Sequence, residues 1–315
     1  MRVAICWAGF SSYMAACWLE LSRRNGCELL VVCQQISKAD NVAFKSEVLD
    51  GLNVRILSPA QIRTPSVVQG ILNEFQPQII VVSGWWNPAY VGLPYCKSFE
   101  NCRFVMAMEN QYEGTWRQRF ARLKIGGYID RMDCLVVPGE RSWQLARYLR
   151  VPTGKIRRGL YGINYDALSA SLAVRNNCWP RKFVFIGRYV LEKGVDVLAS
   201  EYRLYREQAQ EPWGLTCCGD GPLCTQLCGE GVANFGFVTN NLAEVLSSHG
   251  AFVIASRYDP WPLVIPEAAA AGLPIICTDV CGSSVEVVRD RYNGLIVSSK
   301  DVGALAKAML WMDRN

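Results

Sequence analysis

Two cationic side chains, Arg188 and Lys193, follow a short apolar run in a pattern that can bind an anion. The run at 182–187 predicts a β-strand that ends at Gly187, and a helical pattern begins near Val195. Both cations then lie in the turn at the carboxyl end of the strand. Arginine binds phosphate through its planar fork, and lysine adds a point charge. The pair is a candidate phosphate or diphosphate site, with two solvated loop cations as the alternative.

Two carboxylates, Asp259 and Glu267, flank the start of a second predicted helix. This helix is predicted from Leu263 or Val264 to Ala271, and its first backbone N–H groups favour an anion. Each carboxylate can accept hydrogen bonds from sugar or ribose hydroxyls. The alternatives are a turn role for the first carboxylate and a helix-dipole role for the second.

Short apolar runs alternate with helical patterns along the whole chain, which predicts parallel α/β architecture. Two such series occur, so we expect two Rossmann-like parallel-sheet domains facing across a cleft, residues 1–165 and 166–315. Ligands of open parallel sheets bind beyond the carboxyl ends of the strands, which predicts a ligand in the cleft. The predicted strands are 2–7, 28–33, 53–57, 78–83, 103–108, 134–138, 182–187, 214–219, 233–238, 251–256, 274–278 and 294–298.

Composition and charge exclude several classes of protein. The net charge is +5, and residues 1–160 hold 20 basic against 12 acidic side chains, which suggests an anionic partner for the first half. No run reaches the roughly eighteen apolar residues of a membrane span. The apolar stretch 3–19 could pass for a secretion signal, but a Gly-Phe-Ser-Ser break divides it. The 14 scattered cysteines and the single histidine, His249, predict a cytoplasmic protein without a metal site.

The motifs GRYVLEKG (187–194) and DPWPLVIPEAAAAGLP (259–274) together resemble the signature of retaining glycosyltransferase family 4, whose members have the GT-B fold. The resemblance implies that Arg188 and Lys193 neutralise the diphosphate of a nucleotide-sugar donor. It implies that Asp259 contacts the donor sugar and that Glu267 binds the ribose.

Further donor-binding positions are implied by segments that resemble other parts of the family. CCGDGPL (217–223) resembles its glycine loop, NFGFV (234–238) its base-contacting stretch, and WAGFSSYM (7–14) the loop after its first strand. For that last loop, an ordinary strand-to-helix turn is the alternative. The donor-binding residues implied in this way are Gly9, Ser11, Ser12, Gly187, Gly219, Phe237, Val238, Pro262, Leu263 and Val264.

Three departures from the family pattern concern the donor sugar. Asp259 replaces the commoner Glu, and Pro262 stands where the family often has Gly, which removes one backbone donor. Glu109 occupies the place of a family histidine, and Glu109 or Asn110 could substitute for it through hydrogen bonds. His249 is expected to be structural.

Two further features carry expectations of their own. Ser283 and Glu286 have the spacing of a capping box, a structural interpretation. The stretch 115–124 places Trp116 and Phe120 on one helical face between cations, which suits an anionic membrane surface, with a solvated helix as the alternative.

The motifs and the resemblance together predict a metal-independent hexosyltransferase, and the resemblance implies that it retains the configuration of the donor sugar. It would transfer a hexose from a UDP- or GDP-sugar to a glycan or lipid-linked acceptor, in cell-surface polysaccharide or glycolipid synthesis. No cofactor and no nucleic-acid partner are expected, and the enzyme would be cytoplasmic, with contact to the inner face of the membrane. The alternatives are a non-catalytic sugar-nucleotide-binding protein and a GT-B-type sugar-nucleotide epimerase.

Overall fold

The computed structural model describes residues 1–34, 49–175, 178–238 and 241–315. Contacts between residues divide the chain into two units, Met1–Gly162 and Ile163–Asn315. Each unit is built around its own parallel sheet, and in the described ranges helices connect most of the successive strands.

The first unit contains a seven-stranded parallel sheet in the order β3-β2-β1-β4-β5-β6-β7. All six strands predicted here from apolar runs are confirmed. The seventh, β7, was missed because it is three residues long and two of them are exposed arginines. The strands are β1 Arg2–Trp7, β2 Glu28–Gln34, β3 Val54–Leu57, β4 Ile79–Ser83, β5 Arg103–Ala107, β6 Cys134–Val137 and β7 Ile156–Arg158.

Both faces of this sheet are buried, as strands without polar alternation predict. Ala4 and Cys6 belong to one apolar cluster, whereas Val3 and Ile5 belong to the other. The helices of the unit are α1 Ser12–Ser22, α2 Pro65–Phe75, α3 Pro88–Gly92, α4 Trp116–Asp130 and α5 Glu140–Tyr148.

The second unit contains a six-stranded parallel sheet in the order β10-β9-β8-β11-β12-β13. All six strands predicted in this half are confirmed. They are β8 Lys182–Ile186, β9 Gly214–Cys218, β10 Val232–Gly236, β11 Ala251–Ile254, β12 Ile275–Thr278 and β13 Gly294–Val297.

The last helix of the second unit is attached by a buried carboxylate. Glu201 accepts hydrogen bonds from the backbone N–H groups of Gly303 (2.8 Å) and Ala306 (3.0 Å), two donors that the start of a helix leaves unsatisfied. The helices are α6 Tyr165–Arg175, α7 Val195–Gln208, α8 Leu242–Ser247, α9 Val264–Ala270, α10 Ser284–Val287 and α11 Ala304–Arg314.

The strand order reverses once in each sheet. The reversal lies between β1 and β4 in the first unit and between β8 and β11 in the second. Loops that leave the carboxyl ends of strands at such a reversal diverge and open a crevice for a ligand. In the second unit, Arg188 and Lys193 lie in the loop after β8, and Asp259 lies in the loop after β11. In the first unit, Gly9 and Ser11 lie in the loop after β1.

Candidate functional site

Arg188 lies directly after the central strand of the second sheet. Strand β8 ends at Ile186, and Gly187 separates it from Arg188, whose side chain is exposed. In the part of the chain that the structure describes, no hydrogen bond or ion pair engages its guanidinium group. Arg188 is therefore available to an anion at the carboxyl edge of the sheet.

Lys193 is fixed by a close approach between two loops. It ends a 3-10 turn, Leu191–Lys193, and the next residue, Gly194, has a φ of 65°. A Cβ atom on Gly194 would lie 1.8 Å from the carbonyl oxygen of Ala255, which follows β11. Only glycine fits there, so the lysine is held next to the end of the neighbouring strand.

An ion pair that sequence analysis missed joins the same two loops. Both nitrogens at the end of the Arg257 guanidinium contact Asp196, at 2.5 and 2.6 Å, and the Arg257 backbone N–H donates to the carbonyl of Glu192 at 2.8 Å. The hydrogen bond from Arg257 lowers the pKa of Asp196. The two residues lie 61 positions apart, and no local pattern links them.

Lys193 and Asp259 form an ion pair with each other. The ammonium group of Lys193 contacts a carboxylate oxygen of Asp259, and the two side chains are 20% and 6% exposed. Removing one partner of such a partly buried pair leaves the other charge uncompensated and destabilises the folded protein. The structure thus brings together two of the predicted site residues, one cation and one carboxylate.

Glu267 lies in the first turn of α9 and is half-buried. Burial raises the pKa of Glu267 to about 7. Among the described residues, no hydrogen bond or cation stabilises its charged form. An unsatisfied, desolvated carboxylate at a strand-end crevice is a candidate hydroxyl-binding group.

The predicted start of α9 is confirmed, whereas the predicted capping box is wrong. The helix begins at Val264, one residue after Leu263, and both residues are half-buried. The Ser283 hydroxyl donates to the carbonyl of Pro262 at 2.8 Å and makes no cap hydrogen bond to α10. Ser283 has helical rather than extended dihedral angles, so its side chain cannot reach the N–H groups that a cap satisfies.

The implied glycine positions of the second unit pack against each other. A Cβ atom on Gly219 would lie 1.9 Å from the carbonyl oxygen of Gly187, so the turns after β8 and β9 meet through backbone. After β10, Phe237 is exposed and Val238 is half-buried.

In the first unit, the two serines that follow β1 differ in exposure and in hydrogen bonding. Ser11 is buried, and its hydroxyl accepts from the backbone N–H of Met14 at 3.4 Å as the N-cap of α1. Ser12 is exposed and Gly9 is half-buried. Ser12 is thus the serine that a ligand can reach.

Glu109 lies two residues after β5 and is exposed, as is Asn110. The Glu109 carboxylate accepts a hydrogen bond from the hydroxyl of Tyr161, a residue that sequence analysis did not select. The two residues are 52 positions apart, and no local sequence pattern links them.

His249 is buried, and burial lowers the pKa of its imidazole ring. One ring nitrogen lies 2.6 Å from the carbonyl oxygen of Val245 within the same segment. These contacts are those of a core side chain.

The predicted helix over 115–124 is part of α4, and its apolar face is exposed. Trp116, Phe120 and Leu123 are 70%, 57% and 84% exposed. Of its four cations, Arg122 is half-buried and pairs with Asp130 at 2.7 Å, whereas the other three, Arg117, Arg119 and Lys124, are exposed.

In the ranges that the structure describes, no three His, Cys, Asp or Glu side chains form a group that could hold a metal ion. No helix there is long and apolar enough to cross a membrane.

The second half of the chain matches a known family. Residues 180–315 match the family described as Glycosyl transferases group 1. The chain is 33% identical over 130 residues to TuaC of Bacillus subtilis, a glycosyltransferase assigned to teichuronic acid biosynthesis. It is 31% identical over 147 residues to a glycogen synthase of Mycobacterium tuberculosis. These matches cover 41% and 44% of this chain and 32% and 35% of those proteins, so the chain spans about a third of the length of the curated relatives it matches.

Solved structures resemble the whole chain in fold. The sucrose-phosphate synthase of Thermosynechococcus elongatus has a TM-score of 0.74 at 17% identity, over 100% of this chain and 90% of that one. Anabaena HepE in complex with UDP and glucose has a TM-score of 0.72 at 13% identity, over 99% and 89%. With its two Rossmann-like parallel-sheet units, the chain has the GT-B fold.

Proposed function

We propose that this chain is a retaining glycosyltransferase that transfers a hexose from a nucleotide-diphosphate sugar to an acceptor hydroxyl. The observation that carries the proposal is the Lys193–Asp259 ion pair beside the exposed Arg188, within the matched residues 180–315. The relatives that act in teichuronic acid and glycogen synthesis support a role in polysaccharide or glycolipid synthesis.

In the proposed reaction, the cations stabilise the leaving group. The bond between the anomeric carbon and the β-phosphate oxygen breaks, and the nucleoside diphosphate leaves with the bonding electrons. Arg188 and Lys193 compensate the negative charge that develops on the phosphate. The acceptor oxygen bonds to the anomeric carbon and gives its proton to the departing phosphate oxygen, and the product keeps the configuration of the donor.

The Lys193–Asp259 pair gives this step a defined starting point. Before the donor binds, the lysine charge is compensated by Asp259. A diphosphate carries more charge than one carboxylate, so it competes for the ammonium group and leaves Asp259 able to accept a hydrogen bond from the donor sugar. Glu267 binds the ribose hydroxyls from α9. A UDP- or GDP-hexose fits this arrangement, and HepE with bound UDP has the same fold.

Donor binding and turnover test the proposal together. A thermal-shift panel of UDP- and GDP-hexoses should raise the melting temperature for one nucleotide, because a ligand that binds only the folded state stabilises it. The same donor should release nucleoside diphosphate when an acceptor sugar is present. A donor that stabilises the protein but is neither transferred nor slowly hydrolysed would instead favour a non-catalytic sugar-nucleotide-binding protein.

Turnover is expected to be independent of divalent metal, because two side-chain cations compensate the diphosphate. Activity measured as nucleoside diphosphate release should survive excess EDTA. Loss of activity in EDTA, with recovery on adding magnesium or manganese, would assign the leaving-group role to a metal instead.

The exposed face of α4 supports a further part of the proposal, peripheral binding to the cytoplasmic leaflet next to a lipid-linked acceptor. Trp116, Phe120 and Leu123 present apolar surface, and the exposed cations Arg117 and Arg119 lie beside it. Aromatic and aliphatic groups enter the interface of a bilayer, while cations attract anionic headgroups.

Charge reversal at Arg117 and Arg119 to glutamate is expected to release most of the protein from anionic vesicles. Each basic residue at such a surface contributes about 1 kcal/mol at physiological salt. Co-sedimentation with vesicles of neutral lipid, with and without anionic lipid, measures the effect. The matched control reverses Arg23 and Arg24, whose side chains are 67% and 72% exposed just after the end of α1. Equal recovery in the supernatant from both vesicle types would identify α4 as a solvated helix.

A further inference from the structure

The Glu109 side chain is oriented by one defined contact. Its carboxylate accepts from the Tyr161 hydroxyl, and its backbone carbonyl accepts from the Ser142 hydroxyl at 2.9 Å. Among the described residues, no other hydrogen bond to the carboxylate is present, although the side chain is exposed. The carboxylate is thus fixed in direction and still has capacity for a ligand.

Tyr161 is itself held in place by packing. Its ring meets the ring of Tyr13 edge-to-face, with centroids 5.7 Å apart and planes at 85°. Burial and the nearby Glu109 charge raise the pKa of Tyr161, so its hydroxyl stays protonated and donates. Tyr161 can therefore act as a permanent hydrogen-bond donor to Glu109.

Exposed aromatic surface occurs at the same edge of the sheet. Ser83 at the end of β4 is in register with Ala107 at the end of β5, so the loops that follow leave the sheet side by side. The first loop carries Trp86, which is 45% exposed, and Tyr13 is 38% exposed. Aromatic rings offer apolar faces with polar edges, and sugar rings combine C–H faces with hydroxyls.

We propose that Glu109 binds a hydroxyl of the acceptor sugar and that Tyr161 is its positioning residue. The chemical class of the ligand is a pyranoside with a free hydroxyl, packed against the aromatic surface of the first unit. This inference rests on the proposed transferase function and assigns the acceptor side of that reaction. A carboxylate built to accept a hydrogen bond discriminates strongly against an analogue that lacks the hydroxyl.

The test compares Tyr161→Phe and Glu109→Gln with Tyr148→Phe. Tyr148 is a matched control in the same unit, 40% exposed, with its ring against Tyr112. The probes are the methyl α-pyranosides of glucose, galactose, mannose and N-acetylglucosamine, and binding is followed by saturation-transfer NMR and by their KM in nucleoside diphosphate release. Titration with UDP and GDP measures the donor side.

At least one pyranoside should bind the wild type. Tyr161→Phe should weaken this binding and raise the acceptor KM about tenfold, the usual effect of one lost hydrogen bond. Glu109→Gln should weaken pyranoside binding further and raise the acceptor KM further. The affinity of both variants for UDP or GDP should match that of Tyr148→Phe, because the free nucleotide makes no contact with the acceptor.

Three results would overturn the inference. In the first, the wild type binds none of the four pyranosides. In the second, Tyr161→Phe behaves as Tyr148→Phe in every assay. In the third, both site variants lose nucleotide affinity and donor hydrolysis together. The last result would assign Glu109 to the donor-binding site instead of the acceptor-binding site. A wild type that binds neither UDP nor GDP would instead refute the proposed transferase function, which the nucleotide titration reports separately.

Discussion

Replacing Arg188 or Lys193 with alanine is expected to slow transfer by roughly 30- to 1000-fold. Each cation stabilises charge on the departing diphosphate, and loss of a comparable group costs about 2–4 kcal/mol of transition-state stabilisation. The measurement is kcat/KM for nucleoside diphosphate release. Lys300→Ala, which removes an exposed lysine elsewhere in the second unit, is the matched control.

The ion pair makes the two alanine variants differ in stability. Lys193→Ala leaves the 6% exposed carboxylate of Asp259 without its partner. It should lower the free energy of unfolding by about 1–3 kcal/mol, the usual cost of an unsatisfied buried acceptor. Arg188→Ala should not, because its side chain is exposed. Adding Asp259→Asn to Lys193→Ala should restore stability without restoring turnover. Near-normal turnover in both single variants would refute the diphosphate assignment.

Glu267→Gln is expected to weaken donor binding about ten- to hundredfold at pH 8. The variant keeps the shape of the side chain but loses charge-assisted hydrogen bonds to the ribose, typically worth about 1.5–3 kcal/mol. With a pKa of about 7, wild-type Glu267 is protonated at pH 5, so the two proteins should then bind the donor similarly. Titration with the nucleoside diphosphate at both pH values measures this.

Although Glu267→Gln should weaken donor binding, it should raise the free energy of unfolding at alkaline pH. A carboxyl pKa raised from 4.5 to about 7 means that the folded state favours the neutral form. The contribution of protonated Glu267 to the stability of the folded state is fully present below about pH 4.5. It is lost as the pH rises through about 7. Glutamine stays neutral, so Glu267→Gln should be about 2–3 kcal/mol more stable than wild type at pH 8 and equal to it at pH 4.

Glu244→Gln is the matched control for both effects, because Glu244 is an exposed glutamate in the first turn of α8. It should change neither donor affinity nor the dependence of stability on pH. If Glu267→Gln bound the nucleoside diphosphate as tightly as wild type at pH 8, the ribose role would be excluded.

The strands could be predicted because their signal is local. Buried runs such as 182–187 are apolar on both faces and end at glycine or a polar turn, and twelve predicted strands are present. Strand β7 has only one buried residue, Ile156, so it carries no such signal. The capping box was predicted wrongly because spacing alone does not report the dihedral angles of Ser283.

Sequence motifs predicted at which edge of the sheet the site residues lie, but not which of their side chains are in contact. Arg188, Lys193, Asp259 and Glu267 all follow or flank strand ends, and sequence motifs indicate that. Which side chains touch depends on how distant loops pack. Lys193 contacts Asp259, 66 positions away, because the Gly194 backbone fits against the loop after β11. Pairing across such separations has no signature in one sequence.

Proton NMR of one reaction mixture tests the central proposal most directly. The mixture contains the protein, UDP-glucose, UDP-galactose or GDP-mannose, and the methyl pyranosides as acceptors. Retaining transfer predicts that an acceptor accelerates nucleoside diphosphate release well beyond slow donor hydrolysis, with a new glycosidic proton in the configuration of the donor. A product of inverted configuration, or conversion of the donor sugar to its epimer without an acceptor, would contradict it.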